Sequence, residues 1–288
     1  MKKIAVINDL SGMGKCSLTA AIPVISVMGV QACPLPTAIL SNQTGYASYF
    51  CDDYTDKMST IMDEWEKLGF VPDGIYSGFL ADAVQVDKVL EFIQRFAKKA
   101  TQILIDPVMG DQGEVYSIYT EVLGRRMREL AARAHILTPN LTEALILLDN
   151  EMYMEEMWEK LSTLSEEQYL KAVEEIGLRL HHEYPMATSV ITGVQCHKEG
   201  IPQMGNLICK DGTCQWILAE KRGGSYSGTG DLFASLLSAG MVQGWPVEKS
   251  VKKAVDFLCK AIYDAVLEGK DRNDGVCFEK HLGELIGG

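Results

Sequence analysis

Short apolar runs alternate with amphipathic helical stretches from one end of this chain to the other. Strand-like runs fall at 3–8, 30–37, 73–77, 102–106, 135–138 and 187–192. Helical patterns fall at 15–28, 55–68, 83–99, 119–133, 141–149, 166–182, 230–243 and 247–268. On 83–99 the apolar stripe is Val86, Leu90, Ile93 and Ala97, one face of a 3.6-residue period. Parallel strands need a long crossover between them, and a helix supplies it. The expectation is an α/β fold of three layers, a mostly parallel sheet with helices on both faces. A hairpin is expected at 205–218, turning at Lys210-Asp211-Gly212-Thr213. The segment 31–56 is rich in proline, aromatic and polar residues and reads as a loop, a small flap that covers a substrate. A chain of 288 residues can bury one large core, so residues 1–288 are expected to form a single domain.

The charge balance narrows the function. With 27 basic and 39 acidic residues the net charge is −12, which argues against a nucleic-acid groove. A polyanion such as ATP would have to be held locally, by backbone dipoles and a metal. The apolar run in Met1–Asp9 is four residues long, too short for a signal peptide. No stretch approaches the ~20 apolar residues of a membrane span. A cytoplasmic chain with no membrane partner is expected. The eight cysteines form no Cys-x-x-Cys pair, and several lie in apolar runs, so buried free thiols are expected. The five histidines show no metal-ligand spacing.

Ligands of parallel sheets bind beyond the carboxyl ends of the strands, and the polar motifs of this chain gather there. Gly223-Gly-Ser-Tyr-Ser-Gly-Thr-Gly-Asp231 runs into the helical pattern at 230–243. Its glycines precede a helix start, whose free N–H groups and positive dipole end favour an anion. Asp231 either caps that helix or takes a proton while the N–H groups of Gly228, Thr229 and Gly230 hold a phosphate. After the first strand, Asp9-Leu-Ser-Gly-Met-Gly-Lys-Cys16 fails as a phosphate loop. Asp9 stands where the first glycine belongs, and Cys16 replaces the magnesium-binding hydroxyl. A polar strand end at Asn8, Asp9 and Ser11 that binds a small substrate fits better. Asp106-Pro-Val-Met-Gly-Asp111 places two carboxylates after a buried-looking strand, a pattern that suits Mg²⁺. In Thr138-Pro-Asn140-Leu-Thr-Glu143, Asn140 and Glu143 read as a near-capping box whose side chains also face whatever occupies that helix start. Thr192 ends a further strand with a hydroxyl able to reach a phosphate. The segment 150–165 carries no assignable role.

Taken in order, Ser41-Asn-x-Thr-Gly-Tyr46, Ser77-Gly-Phe79, Asp106-Pro-Val-Met-Gly-Asp111, Thr138-Pro-Asn-x-x-Glu143 and Gly228-Thr-Gly-Asp231 resemble the ribokinase-like superfamily, and within it the pyridoxal kinase branch. The resemblance covers nearly the whole chain. It implies an ATP-dependent kinase that phosphorylates the 5′-hydroxymethyl of pyridoxal, pyridoxine or pyridoxamine. Asp231 would be the general base and Gly228, Thr229 and Gly230 the anion hole. Asp9, Thr44, Gly45 and Phe79 match positions that bind the vitamer ring. Asp106, Thr138, Glu143 and Thr192 would line the ATP site, and Asp106, Asn140 and Glu143 would order Mg²⁺ directly or through water. A homodimer is implied too, while a monovalent cation such as K⁺ is left open. Two positions depart from the pattern, since pyridoxal kinases commonly carry Ser at Asp9 and Tyr at Phe79. Asp9-x-Ser11-Gly12 also resembles hydroxymethylpyrimidine kinases of thiamin synthesis, which makes such a kinase the nearest alternative. A non-catalytic B6-binding protein is a third reading, disfavoured by the intact Gly-Thr-Gly-Asp and Asn-x-x-Glu.

Overall fold

A computed structural model describes residues 1–287. Nine strands build mixed, mostly parallel sheet, as the alternation predicts. The chain divides into two compact units, one of residues 1–80, 88–103 and 222 onward, the other of 81–87 and 104–221. Among the described residues no helix is long and apolar enough to cross a membrane.

In the first unit β1 (Lys3–Ser11) is flanked on both sides by parallel partners, β2 (Gln31–Leu40) and β4 (Gly74–Ser77). Residues Ile4–Ile7 are wholly buried, the continuous apolar run expected of a strand covered on both faces. The β1–β2 register slips opposite Asp9, where Asn8 pairs with Pro36 but Leu10 with Ile39. That irregularity breaks the ladder at the polar end of β1 and re-aims the side chains there. β3 (Cys51–Asp53) adds to the end of β2 in antiparallel sense. The helices α1 (Ser17–Val27), α2 (Thr55–Lys67), α8 (Thr229–Gln243) and α9 (Val247–Leu267) complete the unit. From β4, α3 (Ala83–Phe96) and β5 (Gln102–Ile105) carry the chain onward.

The loop expected over 31–56 is corrected here. Residues 31–40 and 51–53 are β2 and β3, α2 begins at Thr55, and 41–50 and Tyr54 lack regular structure. The strand run at 30–37 holds, and the overlapping loop reading fails there despite the prolines. Pro34 and Pro36 are two residues apart, so both missing donors lie on one side of β2. β3 covers only Ala38–Leu40, which leaves that level of the strand with a free edge able to take them.

In the second unit the end of β5 pairs in parallel with β8 (Ile136–Leu137), and β8 with β9 (Thr188–Lys198). β10 (Ile201–Lys210) and β11 (Thr213–Glu220) follow as antiparallel hairpins. Both turns are two residues with positive φ, Glu199-Gly200 and Asp211-Gly212, the geometry whose twist suits a tight hairpin. A small hairpin of β6 (Gly110–Asp111) and β7 (Glu114–Val115) precedes α4 (Glu121–Ala131). Then come α5 (Leu141–Leu148), α6 (Glu151–Ser162) and α7 (Glu166–Glu183). α6 fills part of the stretch left without a role. Asn150 starts it by accepting the Tyr153 N–H at 2.9 Å, and Trp158 covers Gly113, where an added Cβ would meet the indole nitrogen at 2.5 Å.

The expectation of buried free thiols holds for Cys16, Cys196 and Cys277; Cys33, Cys51 and Cys259 are thiols but not buried, and two cysteines are bridged. Cys209 and Cys214 stand opposite each other in the β10–β11 register, with Cα atoms 4.2 Å apart, and form a disulfide. The Asp-Gly turn between them makes the pair, a signal a search for Cys-x-x-Cys does not detect. Protein denatured without reductant should therefore titrate six thiols, rising to eight after reduction. Eight thiols from unreduced, oxidatively purified protein would exclude the bridge.

Candidate active site

In the first unit the Asn8 side chain organises the residues around it. Its Oδ1 accepts the N–H groups of Asp9 and Phe79, each at 3.0 Å. Its Nδ2 donates to Asp231 Oδ1 at 3.0 Å. Gly78 makes room for it, since a Cβ there would lie 2.4 Å from Nδ2. This explains the glycine of Ser77-Gly-Phe79. Asp9, Phe79 and Asp231, distant in sequence, are thus set by one carboxamide.

Asp231 lies in the first turn of α8, with the backbone N–H of Ser17 and the Tyr76 side chain beside its carboxyl. Burial pushes its pKa up to about 6, the Asp9 charge adds to the rise, and the nearby polar groups of Ser17, Asn8 and Tyr76 oppose it. The residue keeps part of its surface open, as a group that exchanges a proton with a ligand must. Asp9 is 5 % exposed, accepts the Ser11 hydroxyl at 2.8 Å and a bond from the Ser17 side chain, and is raised by burial. Cys16 beside them is no nucleophile. Burial and the charges of Asp231 and Asp9 push its thiol up to about 12, so thiolate is scarce at neutral pH.

The start of α8 is bare. Gly228 sits at the N-cap with φ +79° and offers no side chain to the helix N–H groups. A Cβ at Gly228 would meet the Lys15 carbonyl at 2.1 Å, so the turn needs glycine for both conformation and space. The Thr229 hydroxyl donates back to the Tyr226 carbonyl at 3.1 Å. The N–H groups of Thr229 and Gly230 therefore stand at the positive end of an uncapped helix. Thr44 and Gly45 lie in the 43–46 turn, Thr44 exposed, with no hydrogen bond to Asp9 or Phe79 among those described.

The second unit holds the other set. Thr138, just past β8, donates its hydroxyl to Asp106 Oδ1 at 2.9 Å. Asn140 bridges to Thr192 at the end of the parallel strands, and the Thr192 N–H donates to the Pro139 carbonyl at 2.9 Å. Asn140 and Glu143 form a full capping box at the start of α5. Glu143 accepts the Asn140 N–H at 2.9 Å on one oxygen and the Met109 N–H at 3.1 Å on the other. The Asn140 amide nitrogen donates to the Gly110 carbonyl at 2.7 Å. The capping reading is thus borne out.

A cation fits this set indirectly. Glu143 is buried and held well above the ordinary carboxylate range, by burial first and then by the charges of Asp106 and Asp111. A divalent cation would relieve that repulsion. Among the described residues no three His, Cys, Asp or Glu groups stand close enough to hold one directly. The Asn140 and Glu143 donors and acceptors are spoken for within the protein. Asp106 and Glu143 therefore suit Mg²⁺ through its retained waters, the usual habit of that ion.

The sequence model of the phosphomethylpyrimidine kinase family matches residues 14–274. The chain belongs to that family. It is an ATP-dependent small-molecule kinase with a ribokinase-like fold. A solved structure from Bacteroides thetaiotaomicron, named "putative phosphomethylpyrimidine kinase" and determined with pyridoxal, is 34% identical to this kinase. It covers 99% of this chain and 95% of its own, with a TM-score of 0.86. A curated relative from Schizosaccharomyces pombe, "Putative pyridoxal kinase C18.10", is 25% identical over 219 residues; the match spans 71% of this chain and 57% of that protein. Pyridoxal kinase from Leishmania donovani, solved with ADP and pyridoxamine, shares the fold at 22% identity. There the cover is 99% of this chain and 96% of that one, with a TM-score of 0.79.

Asn8, Ser17 and Tyr76 are the positioning groups that motif reasoning did not single out for Asp231. Asn8 had a signal, a polar residue at the end of an apolar strand. Tyr76 and the Ser17 N–H had none. In the kinase, Gly228→Ala should lower the thermal unfolding midpoint by roughly 5 °C or more. Its turnover should fall with it. Gly212→Ala, with positive φ but open space, should cost only ~1 kcal/mol. Equal effects of the two changes would mean that the Lys15 approach is unimportant.

Proposed function

We propose that this kinase transfers the γ-phosphate of ATP to the 5′-hydroxymethyl of a vitamin B6 vitamer, with Asp231 as general base and residues 1–288 acting as one kinase domain. The observation that carries the reading is the setting of Asp231. Its carboxyl accepts the Asn8 amide with Ser17 and Tyr76 beside it, burial pushes its pKa up to about 6, and it stands in the first turn of an uncapped helix. A carboxylate there would repel a phosphate unless it serves the incoming hydroxyl. With a pKa close to working pH it is ionised yet basic enough to accept that proton.

In this reading the N–H groups of Gly228, Thr229 and Gly230 stabilise charge on the transferring phosphoryl group, a reaction that is mostly positioning and electrostatics. Asp9, Thr44, Gly45 and Phe79 hold the vitamer ring. Asp106, Thr138, Glu143 and Thr192 serve the nucleotide, and Asp106, Asn140 and Glu143 order Mg²⁺, which when bound neutralises phosphate charge. A homodimer rests on the family resemblance alone. The pyridoxal in the Bacteroides structure and the ADP and pyridoxamine in the Leishmania structure support these ligand classes. The family model favours a second reading, hydroxymethylpyrimidine as the acceptor.

Three measurements follow. ADP release with Mg-ATP on pyridoxal, pyridoxine, pyridoxamine and hydroxymethylpyrimidine should show turnover on a B6 vitamer; turnover on the pyrimidine alone would replace the reading by the second. The buried Asp9 carboxylate favours a protonated amine or ring over an aldehyde. Pyridoxamine or pyridoxine should therefore exceed pyridoxal in kcat/KM by roughly tenfold, the scale of one charge-assisted contact, and Asp9→Ser should narrow the gap. A clear preference for pyridoxal would remove that role of Asp9.

For Asp231, kcat/KM should fall about tenfold per pH unit below about 6, as the base becomes protonated. Asp231→Asn should lose roughly 10²–10⁴ in kcat. The folded protein binds this proton more tightly than the unfolded chain, so the group costs stability as pH rises from about 4 to 6. Asp231→Asn should then unfold no lower than wild type at pH 8. Near-normal turnover in this variant would end the assignment.

A further inference from the structure

Between α9 and the C-terminal 3₁₀ segment, residues 271–275 form a tight knot that the motifs do not include. The Asp271 carboxylate accepts the Asn273 N–H at 2.8 Å and so starts the 3₁₀ turn Arg272–Asp274. Four bonds made by side chains join that turn to the 43–46 turn. Gln43 Nε2 donates to Asn273 Oδ1 at 2.9 Å and to the Asn273 carbonyl at 3.4 Å, Asn273 Nδ2 donates to the Gly45 carbonyl at 3.0 Å, and the Tyr46 hydroxyl donates to Asp274 Oδ1 at 2.6 Å. Gln43 closes the ring by accepting the Gly45 N–H on Oε1 at 2.7 Å. The two carboxamides thus hold both backbone groups of Gly45 between them. Gly45 must be glycine for this, because a Cβ would lie 2.6 Å from Asn273 Oδ1.

The opposite side of the knot grips the start of the anion turn. The Ser227 N–H donates to the Arg272 carbonyl at 3.0 Å, one residue before Gly228. Gly275, with φ +72°, lies so close to the Gly14 and Ser227 carbonyls that a Cβ would meet them at 2.8 and 3.3 Å. The Gln43 N–H in turn donates to the Met13 carbonyl at 2.9 Å. One short strap therefore touches the turn that carries Thr44 and Gly45, the turn after β1, and the turn that carries Gly228.

We propose that Gln43 and Asn273 are positioning residues for the acceptor substrate, holding the Thr44–Gly45 turn in fixed register with the Gly228–Asp231 turn. This rests on the proposed function in taking Thr44 and Gly45 as substrate contacts. The carboxamides touch no reacting atom. They fix a turn that lacks regular structure, whose further ties run from Tyr46 to Gln43, from Gln43 to Met13, between Ser41 and Phe50, and from the Asn42 amide to the Gln43 and Ser48 carbonyls. Loosening that turn weakens acceptor binding while leaving Asp231 and its hydrogen bonds in place. The Tyr46 bond acts alongside them and persists at all working pH values, because its acceptor Asp274 pushes the phenol up to about 12.

The test is steady-state kinetics on wild type, Gln43→Ala, Asn273→Ala and the double variant, using whichever acceptor wild type phosphorylates. No turnover of any vitamer by wild type defeats the proposed function rather than this inference, which is then read on the pyrimidine. Each single variant should raise the acceptor KM about tenfold, the scale of losing one or two neutral hydrogen bonds, with kcat within about threefold and the ATP KM unchanged. The double variant should match the worse single one, since the two amides act as a unit. Amide hydrogen exchange at 43–46 should speed up in each variant, a readout independent of turnover. Should Asn273→Ala fail to fold, Tyr46→Phe removes only an oxygen and should still raise the acceptor KM severalfold. An unchanged acceptor KM, a fall in kcat alone, or additive effects in the double variant would overturn the proposal.

Discussion

The hydrogen bonds of the Asn8 carboxamide bring together what the rest of the site depends on. An amide side chain at the end of a buried strand has one acceptor oxygen and two donor hydrogens, and both ends are used here. Its oxygen fixes the backbone of Asp9 and Phe79, and its nitrogen fixes the carboxylate of Asp231. Buried polar groups are costly unless paired, so the arrangement is all or nothing. Gly78 gives it space, and the slipped register opposite Asp9 turns the strand end towards it. Removing the amide would take away at once the acceptor of two N–H groups and one donor to the Asp231 carboxylate.

Around this anchor the protein tolerates electrostatic tension. Asp9 and Asp231 influence one another through poorly solvated surroundings, and both are raised above their ordinary range. Hydrogen bonds from Ser11 and Asn8, with the nearby polar groups of Ser17 and Tyr76, oppose that rise without cancelling it. A fold selected for stability alone would place apolar groups there. The same tension lifts Glu143 in the second unit, where Asp106 and Asp111 are the neighbours. In the proposed function a ligand would relieve the cost in both places, a proton donor in one and a cation in the other.

Sequence reading reached the fold because its evidence is periodic. The six strand runs and eight helical patterns recur as elements with ends shifted by a few residues, since periodicity reports faces rather than caps. It failed where one residue type carries two meanings. Pro34 and Pro36 fell under both a strand run and a loop reading, and they sit in β2 where one edge is free. Cys209 and Cys214 read as unrelated thiols until the Asp211-Gly212 turn sets them opposite each other. Motifs found the capping pair Asn140 and Glu143 because such groups lie in a short local pattern, and Asp231 is placed by a pattern of the same kind. Asn273 and Tyr76 were illegible, for their partners lie far away in sequence and nothing local marks them.

Asn140 and Glu143 show why capping and function need not compete as explanations. A helix start exposes N–H groups that some acceptor must satisfy. At α5 the protein supplies the acceptors itself, and the same side chains present carboxylate and amide groups beside Asp106. At α8 it supplies none at the N-cap, because Gly228 has no side chain. One helix start is thereby closed and the other open. In the proposed function the closed start would hold its acid where a hydrated cation meets it, and the open start would keep its N–H groups for an anion. On that reading the difference between Asn140 and Gly228 at equivalent cap positions is a difference in which charge each turn can receive.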